Sequence, residues 1–356
     1  MPDGRIVIAG AGVIGCSVAW HLAVRGRDDI VVIDRHQSLG GGSTAQATGG
    51  FRTQFGTAVN VRLSMLSRQK LLHFREEVGV DPGYQPSGYL FLANTQNALA
   101  ELRSARDVQR ACGFTETRMV GRDEALALNP YIEGSDIIGG SFCPTDGFIR
   151  PMEILRGYAE AAQRLGVRFE FGHDARPLDP AVTYVNAAGA WAAEFCDVPV
   201  TPLRRRVACT FTTDALPPDM PMTIWADDGF HTRVREGRVL LLWPDTPPDD
   251  EIWMDEVVDR AKKRIPLLRN AAIDTDHCWS GLYEMSPDRH AIVGRHPRMP
   301  NVYLANGSSG HGVMHSPAIG QLIAEMILDG TTSVDVSDLR PSRFEEGQLI
   351  EGPTLL

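Results

Sequence analysis

Gly10, Gly12 and Gly15 stand at GxGxxG spacing, and an acidic residue, Asp34, follows about 20 residues later. Each position has a physical reason. The first glycine permits a tight turn, the second lets backbone approach a pyrophosphate, and the third lets the following helix pack against its strand. The helix opening near Val13 and Ile14 then aims its first amides at the phosphates. Asp34 suits a ribose carrying a free 2′-hydroxyl, which favours NAD or FAD over NADP; the motif alone does not choose between the two. The other groups able to do chemistry lie farther on: Arg52 after two glycines, His231 and Arg233 two apart, and His311 between Gly310 and Gly312. Guanidinium suits carboxylates and other anions. Imidazole can exchange protons near neutrality.

The elements that must position these groups can be read from apolar periodicity. Residues 5–9 are a short apolar run, residues 16–25 are helix-like, and residues 30–33 form a second apolar run ending at Asp34, which together make a βαβ unit. A loop of small residues, Gly40 to Thr44, leads to Gly49 and Gly50. Helices are expected near 59–78, 98–112, 254–264 and 317–328, with a strand at 89–93. Short strands and turns over 207–253 predict an antiparallel sheet that carries His231 and Arg233. A strand, a glycine-rich turn and a helix recur at 301–328, but the turn spacing differs from the first, so no repeat is present.

At 356 residues the chain is long enough for two lobes. With 43% hydrophobic and 22% charged residues it is an ordinary globular composition, which argues against disorder. A formal charge of -10 disfavours nucleic acid and anionic membrane as partners. The basic run Arg204, Arg205 and Arg206 is too short for a binding patch and reads as a solvated or structural cluster. The six cysteines contain no CxxC pair, so no metal or cluster site is expected and a reducing cytoplasm fits. The apolar stretch 6–24 carries glycines and a histidine, so it reads as strand, turn and helix rather than a membrane span.

Five stretches, 10–34, 42–52, 146–151, 185–191 and 281–312, resemble the D-amino-acid oxidase superfamily of flavoenzymes. They are most similar to its branch containing sarcosine oxidase, dimethylglycine dehydrogenase and the proline dehydrogenase β-subunit. The most specific of them holds Leu282, Tyr283, Glu284, Met285, Ser286, Pro287 and Asp288, then Asn306 to Gly312. The resemblance implies an α/β (α+β overall) fold: a Rossmann-like FAD-binding domain of the glutathione-reductase-2 type, with an inserted substrate domain on an antiparallel sheet. The domains expected are a discontinuous FAD-binding domain at 1–80, 145–205 and 275–345, a substrate domain at 81–144 and 206–274, and a tail at 346–356.

The reaction implied is hydride removal from the carbon beside nitrogen in a small amine or amino acid, such as an N-methyl or cyclic amino acid. An imine results, and oxygen or another acceptor reoxidises the flavin. Cofactor contacts are expected from Gly10, Gly12, Val13, Ile14, Gly15, Asp34, Arg35, Gly42, Ser43, Thr44, Thr48, Gly49, Gly50, Ala188, Gly189 and Trp191. Gly281, Tyr283, Gly307, Ser309, Gly310, His311, Gly312, Val313 and Met314 complete the set. By the resemblance Arg52 attracts a substrate carboxylate or the reduced flavin, unless it is a structural ion pair. His311 shapes the flavin-ring loop rather than moving protons. His231 and Arg233 either face the pocket or sit on the exposed face of their strand. Met314 stands where several relatives place a basic residue, which implies a less polar grip on substrate. Relatives with covalent flavin use a cysteine or histidine where this chain has Gly281 and Gln46, so noncovalent FAD is expected. Sarcosine oxidases activate oxygen with a lysine near the position of Leu241, and none occurs there, which keeps a dehydrogenase open. The alternatives are a flavin-bearing subunit that needs partner chains, with homo-oligomers also possible, and an NAD-dependent dehydrogenase sharing only the first motif.

Overall fold

The computed structural model describes residues 4–177 and 179–352. Residues 1–3 of the expected FAD-binding domain and 353–356 of the expected tail lie outside them. In chain order the first unit is β1 (Ile6–Ala9), α1 (Val13–Val24) and β2 (Ile30–Asp34), followed by β3 (Gly50–Phe51) and α2 (Ala58–Val78). Next come β4 (Tyr89–Ala93), α3 (Gln96–Ala111), β5 (Arg118–Val120), α4 (Arg122–Leu128) and β6 (Gly139–Cys143). The chain then returns through β7 (Gly147–Phe148), α5 (Pro151–Arg164), β8 (Arg168–Phe171), β9 (Thr183–Asn186) and α6 (Ala192–Phe195). It leaves again with β10 (Thr201–Cys209), β11 (Met222–Trp225), β12 (His231–Arg235), β13 (Arg238–Leu242), α7 (Asp250–Arg264) and β14 (Trp279–Met285). It closes with β15 (Ile292–Arg295), β16 (Val302–Asn306) and α8 (Gly312–Leu328).

Two large sheets result. The first has the order β15-β16-β9-β1-β2-β8 and is parallel except for β15, so segments far apart in sequence share one sheet. All four residues of β1 are buried, as expected for a parallel strand covered on both faces. Helix α1 is buried around nearly its whole circumference, because the sheet covers one side and α5 and α8 the others. At the α1–α8 crossing a Cβ on Gly320 would collide with Ser17, so the two helix backbones run unusually close.

The second sheet has the order β14-β10-β13-β12-β11-β4-β6-β5 and is antiparallel except where β11 meets β4. The boundary expected at 205/206 falls inside β10, and β14, expected in the FAD-binding domain, is the edge strand of this second sheet. β14 pairs with β10 along its whole length, from Thr201↔Met285 to Val207↔Trp279. The two lobes therefore share a wall rather than meeting at a linker.

Helix α8 starts five residues earlier than the proline-based expectation of 317, with Pro317 inside it. A proline there leaves the carbonyl four residues back without a donor. The Ser316 hydroxyl fills that role, donating to the Val313 oxygen at 2.8 Å.

Candidate active site

A cavity of about 1060 Å³ runs from the first glycine turn, between the two sheets, to the turn that opens α8. At its first end the three glycines separate by role. A Cβ on Gly10 would strike the Ala187 carbonyl, and one on Gly15 would strike the Gly10 carbonyl, so both are needed for packing. Beside Gly12 the nearest atom would be the Thr44 hydroxyl at 3.7 Å, so this position faces open cavity. The Thr44 hydroxyl accepts a hydrogen bond from the Val13 amide at 3.2 Å, tying the loop holding Gly42 and Ser43 to the start of α1. Ile14 lines the same cavity.

The Asp34 carboxylate accepts from the Ala11 amide at 2.7 Å and the His36 amide at 2.8 Å, which holds it at the cavity wall. Arg35 pairs with Asp174 at 2.9 Å and Glu194 at 2.5 Å and lies over the Trp191 ring at 5.4 Å. Ala188 and Gly189 complete this end.

At the other end Gly310, with φ +97°, gives its Cβ space to the ring of Tyr283. Ser309 also has a left-handed φ of 48°, so this turn is strained, a condition associated with functional sites. The turn presents His311 to Arg52. Arg52 Nη2 donates to His311 Nε2 at 3.1 Å and Nη1 donates to the Gln54 carbonyl at 2.8 Å. Because arginine only donates, His311 must accept at Nε2 and carry its proton on Nδ1. Burial pushes the His311 pKa well below the usual histidine value, with Arg52 adding to the shift, which agrees with a neutral ring. The guanidinium also lies 4.1 Å over the Phe55 ring, and burial lowers its pKa to about 10, leaving it charged at neutral pH. Thr48, Gly49, Gly50, Gly281, Gly312, Val313 and Met314 line the cavity between these groups, whereas Gly307 lies behind its wall.

His231 and Arg233 share a face of β12 but go to different places. His231 lines the cavity and donates from Nδ1 to the Gly229 carbonyl at 2.8 Å, leaving Nε2 as an acceptor. Burial lowers its pKa to about 4, helped by the charges of Arg52 and Arg205. Arg233 does not line the cavity. It donates to the Thr48 carbonyl at 2.6 Å and lies 3.7 Å over Phe148, so it props the loop beneath the site instead of meeting a ligand.

Four residues emerge only in three dimensions. Asp146 is fully buried and accepts from the Thr53 amide at 2.7 Å and the Gln54 amide at 3.4 Å, fixing the backbone beside Arg52. Tyr89 covers Gly50, where a Cβ would collide with its hydroxyl. Glu284 accepts from the Ser308 amide at 3.1 Å and interacts with the Ser308 hydroxyl, while its second oxygen has no hydrogen-bond partner among the described residues. Arg205, read from sequence as part of a solvated or structural cluster, lines the cavity. Glu284 and Asp146 offered a sequence signal, through their places in the 282–288 motif and the 146–151 stretch; the facing of Tyr89 and Arg205 depends on strand pairing.

Residues 5–326 match the DAO family model, described as FAD dependent oxidoreductase. The chain belongs to the DAO family of FAD-dependent oxidoreductases. FAD-dependent oxidoreductase domain-containing protein 1 of Xenopus laevis is 27% identical over 91% of this chain and 79% of its own length. Mitochondrial dimethylglycine dehydrogenase of Rattus norvegicus is 27% identical over 95% of this chain, which spans only 44% of that relative. The solved structure of L-proline dehydrogenase from P. horikoshii superposes with a TM-score of 0.88 at 27% identity, covering 98% of this chain and 99% of the other. This DAO-family enzyme thus binds FAD and acts within a family of amino-acid and amine oxidoreductases. The site fits that cofactor. It is open beside Gly12 for a pyrophosphate, an acid stands at the ribose position, and one oxygen of Glu284, on the cavity wall, has no hydrogen-bond partner among the described residues.

Proposed function

We propose that this enzyme oxidises a small amine or amino acid, in particular a secondary amine such as an N-methyl or cyclic amino acid, to an imine that water hydrolyses. Noncovalently bound FAD supplies the acceptor for the hydride leaving the carbon next to nitrogen. The chain's own residues set the protonation and orientation of the substrate. The burial that depresses His231, with the charges of Arg52 and Arg205 adding to it, disfavours any second cation, so it also lowers the pKa of a bound ammonium. An amine entering the site is thereby held neutral, with its lone pair free. The open Nε2 of His231 accepts an N–H from it. Arg52, oriented by His311 and Gln54, supplies a fixed positive charge for negative charge that builds during the reaction. Tyr89, Phe91, Met222 and Ile224 give the cavity apolar walls that keep water away.

The observation that carries this reading is the contact between Arg52 and a neutral His311 at the strained turn of the cofactor cavity. Mixing the anaerobic holoenzyme with sarcosine, proline and other N-methyl amino acids tests it: at least one bleaches the flavin. Enzyme that stays oxidised with every amine and amino acid offered rules the reading out. Gln46 and Gly281 are neighbours, with the Gln46 Cβ 2.7 Å from where a Gly281 Cβ would sit, and neither offers a nucleophile to the flavin. Denatured protein should therefore release its colour into solution.

A second reading has support. Among the described residues no lysine lines the cavity, which favours an acceptor other than oxygen and a flavin-bearing subunit that hands electrons to a partner chain. Comparing oxygen with an artificial dye as acceptor separates the two. The proposal includes a cytoplasmic location, consistent with six free cysteines.

A further inference from the structure

Arg204, Arg205 and Arg206 are consecutive on β10 but do not share a fate. Arg204 and Arg206 both pair with Asp250, at 2.9 and 2.6 Å. Arg205 projects from the other face of the strand, as alternation requires; it lines the cavity, as Arg206 also does, but has no share in Asp250. Among the described residues it makes no hydrogen bond and no ion pair; its closest ring is Tyr283, 5.6 Å from the guanidinium carbon. A half-buried guanidinium with no hydrogen bond or ion pair to a described residue is free to meet an anionic ligand.

A second arginine lines the same cavity. Arg289 is exposed and lies close enough for its charge to lower the pKa of Arg205, after the larger effect of burial. It adopts φ +61°, a left-handed conformation that side chains rarely take. The turn that imposes this is rigid. Asp288 and Arg343 form a fully buried two-pronged ion pair at 2.8 and 2.9 Å, and the Arg289 amide donates to the Ser286 carbonyl at 3.1 Å. Strain held by so firm a support is a feature of functional positions.

This pair is distinct from Arg52, which is deeply buried and already donates to Gln54 and His311. His231 lines the same cavity, and after burial the charges of Arg52 and Arg205 both lower its pKa. Given the amine-oxidising reading above, we propose that Arg205 and Arg289 form a second anion subsite on the cavity wall. It reads a carboxylate several bonds from the oxidised carbon, so the substrate class is a secondary amine bearing two carboxylates. The planar fork of Arg205 suits that group.

The test compares N-methylglutamate with its near-isosteric amide N-methylglutamine, following anaerobic flavin bleaching by the purified holoenzyme. The wild-type enzyme should prefer the diacid by about 10- to 100-fold in kcat/KM, most of it in KM, as expected for a charge-assisted contact. In Arg205→Gln that ratio should collapse towards one, and Arg205→Lys should restore part of it, since charge returns without the fork. Arg289→Gly removes the charge and relieves the backbone, so its reduced ratio comes without lost stability. The inference is overturned by a wild-type enzyme indifferent to the second carboxylate, or by Arg205→Gln slowing both substrates equally. A fall in the flavin-to-protein ratio of Arg205→Gln also overturns it, because the residue would then serve the cofactor. Bleaching by sarcosine or proline but not by the diacid sinks the subsite alone. No bleaching by any amine sinks the reading beneath it.

Discussion

β1 with α1 and β16 with α8 share one plan, a buried parallel strand, a glycine turn and a helix, yet their turns are filled by different matter. In the first turn the space is taken by backbone: Gly10 and Gly15 pack against carbonyls, and no residue from 10 to 15 carries a polar side chain. An anion there meets only amides and shape. In the second turn the space is taken by side chains, with Tyr283 seated on Gly310 and His311 directed at Arg52. The same succession of elements thus builds a holding site when glycines face backbone and a reacting site when they make room for rings. The second turn is also braced from outside, by the Asp288–Arg343 pair that the described part of the tail completes through the Ile350 amide, 3.3 Å from Asp288.

Substitutions at the two turns should separate holding from reacting. Gly15→Val has the largest expected effect, because its first carbon would overlap the Gly10 carbonyl: more than about 4 kcal/mol of stability and all bound flavin are lost. Thermal unfolding and visible absorbance of the purified protein check this, and a coloured, stable variant would dissolve the distinction. Arg52→Met at the second turn should leave the flavin bound while slowing anaerobic bleaching by amine about 100-fold, about 2.7 kcal/mol of barrier. Equal loss of flavin and of rate would show that the two turns are not separable.

A milder probe sharpens the contrast within the first turn. Gly12→Ala meets nothing closer than 3.7 Å in the protein, so the fold should be unaffected, while FAD affinity falls about tenfold, or about 1.4 kcal/mol. Titration of apoprotein with FAD measures it. The smallest effect, read between neutral and mildly acidic buffer, concerns pH. Burial pushes His21 on α1 down to about 3, so its ring is neutral when folded and gains a proton on unfolding below about 6.5. Stability is unaffected above that pH and declines as pH falls from about 6.5 towards 3, by up to about 1.4 kcal/mol per pH unit. His21→Leu should flatten this share of the decline, seen as a smaller shift of the urea midpoint between neutral and mildly acidic buffer. His315 on α8, pushed down to about 3 by burial, keeps its own share in that variant.

How much of this was legible depended on distance along the chain. The first βαβ unit was readable because turn, strand and helix signals lie within about 30 residues. The membership of β14 in the second sheet was not, since its partner β10 lies far upstream. Arg233 and His231 looked equivalent in sequence; the structure sends one beneath the Thr48 loop and the other into the cavity. The start of α8 was misplaced because Ser316 takes over the donor role that Pro317 lacks, a side-chain exchange invisible to periodicity.

By itself the sequence determined what is local: the glycine spacing that admits a pyrophosphate, the acid that follows it, and the periodicities that make strands and helices. Tertiary structure alone decided which side chains meet, because facing in a sheet follows register. Pairing Arg205 with Gly281 is what turns one arginine of three away from Asp250, which its two neighbours share, although Arg206 also reaches the cavity wall. A shift of one residue in that ladder would exchange them.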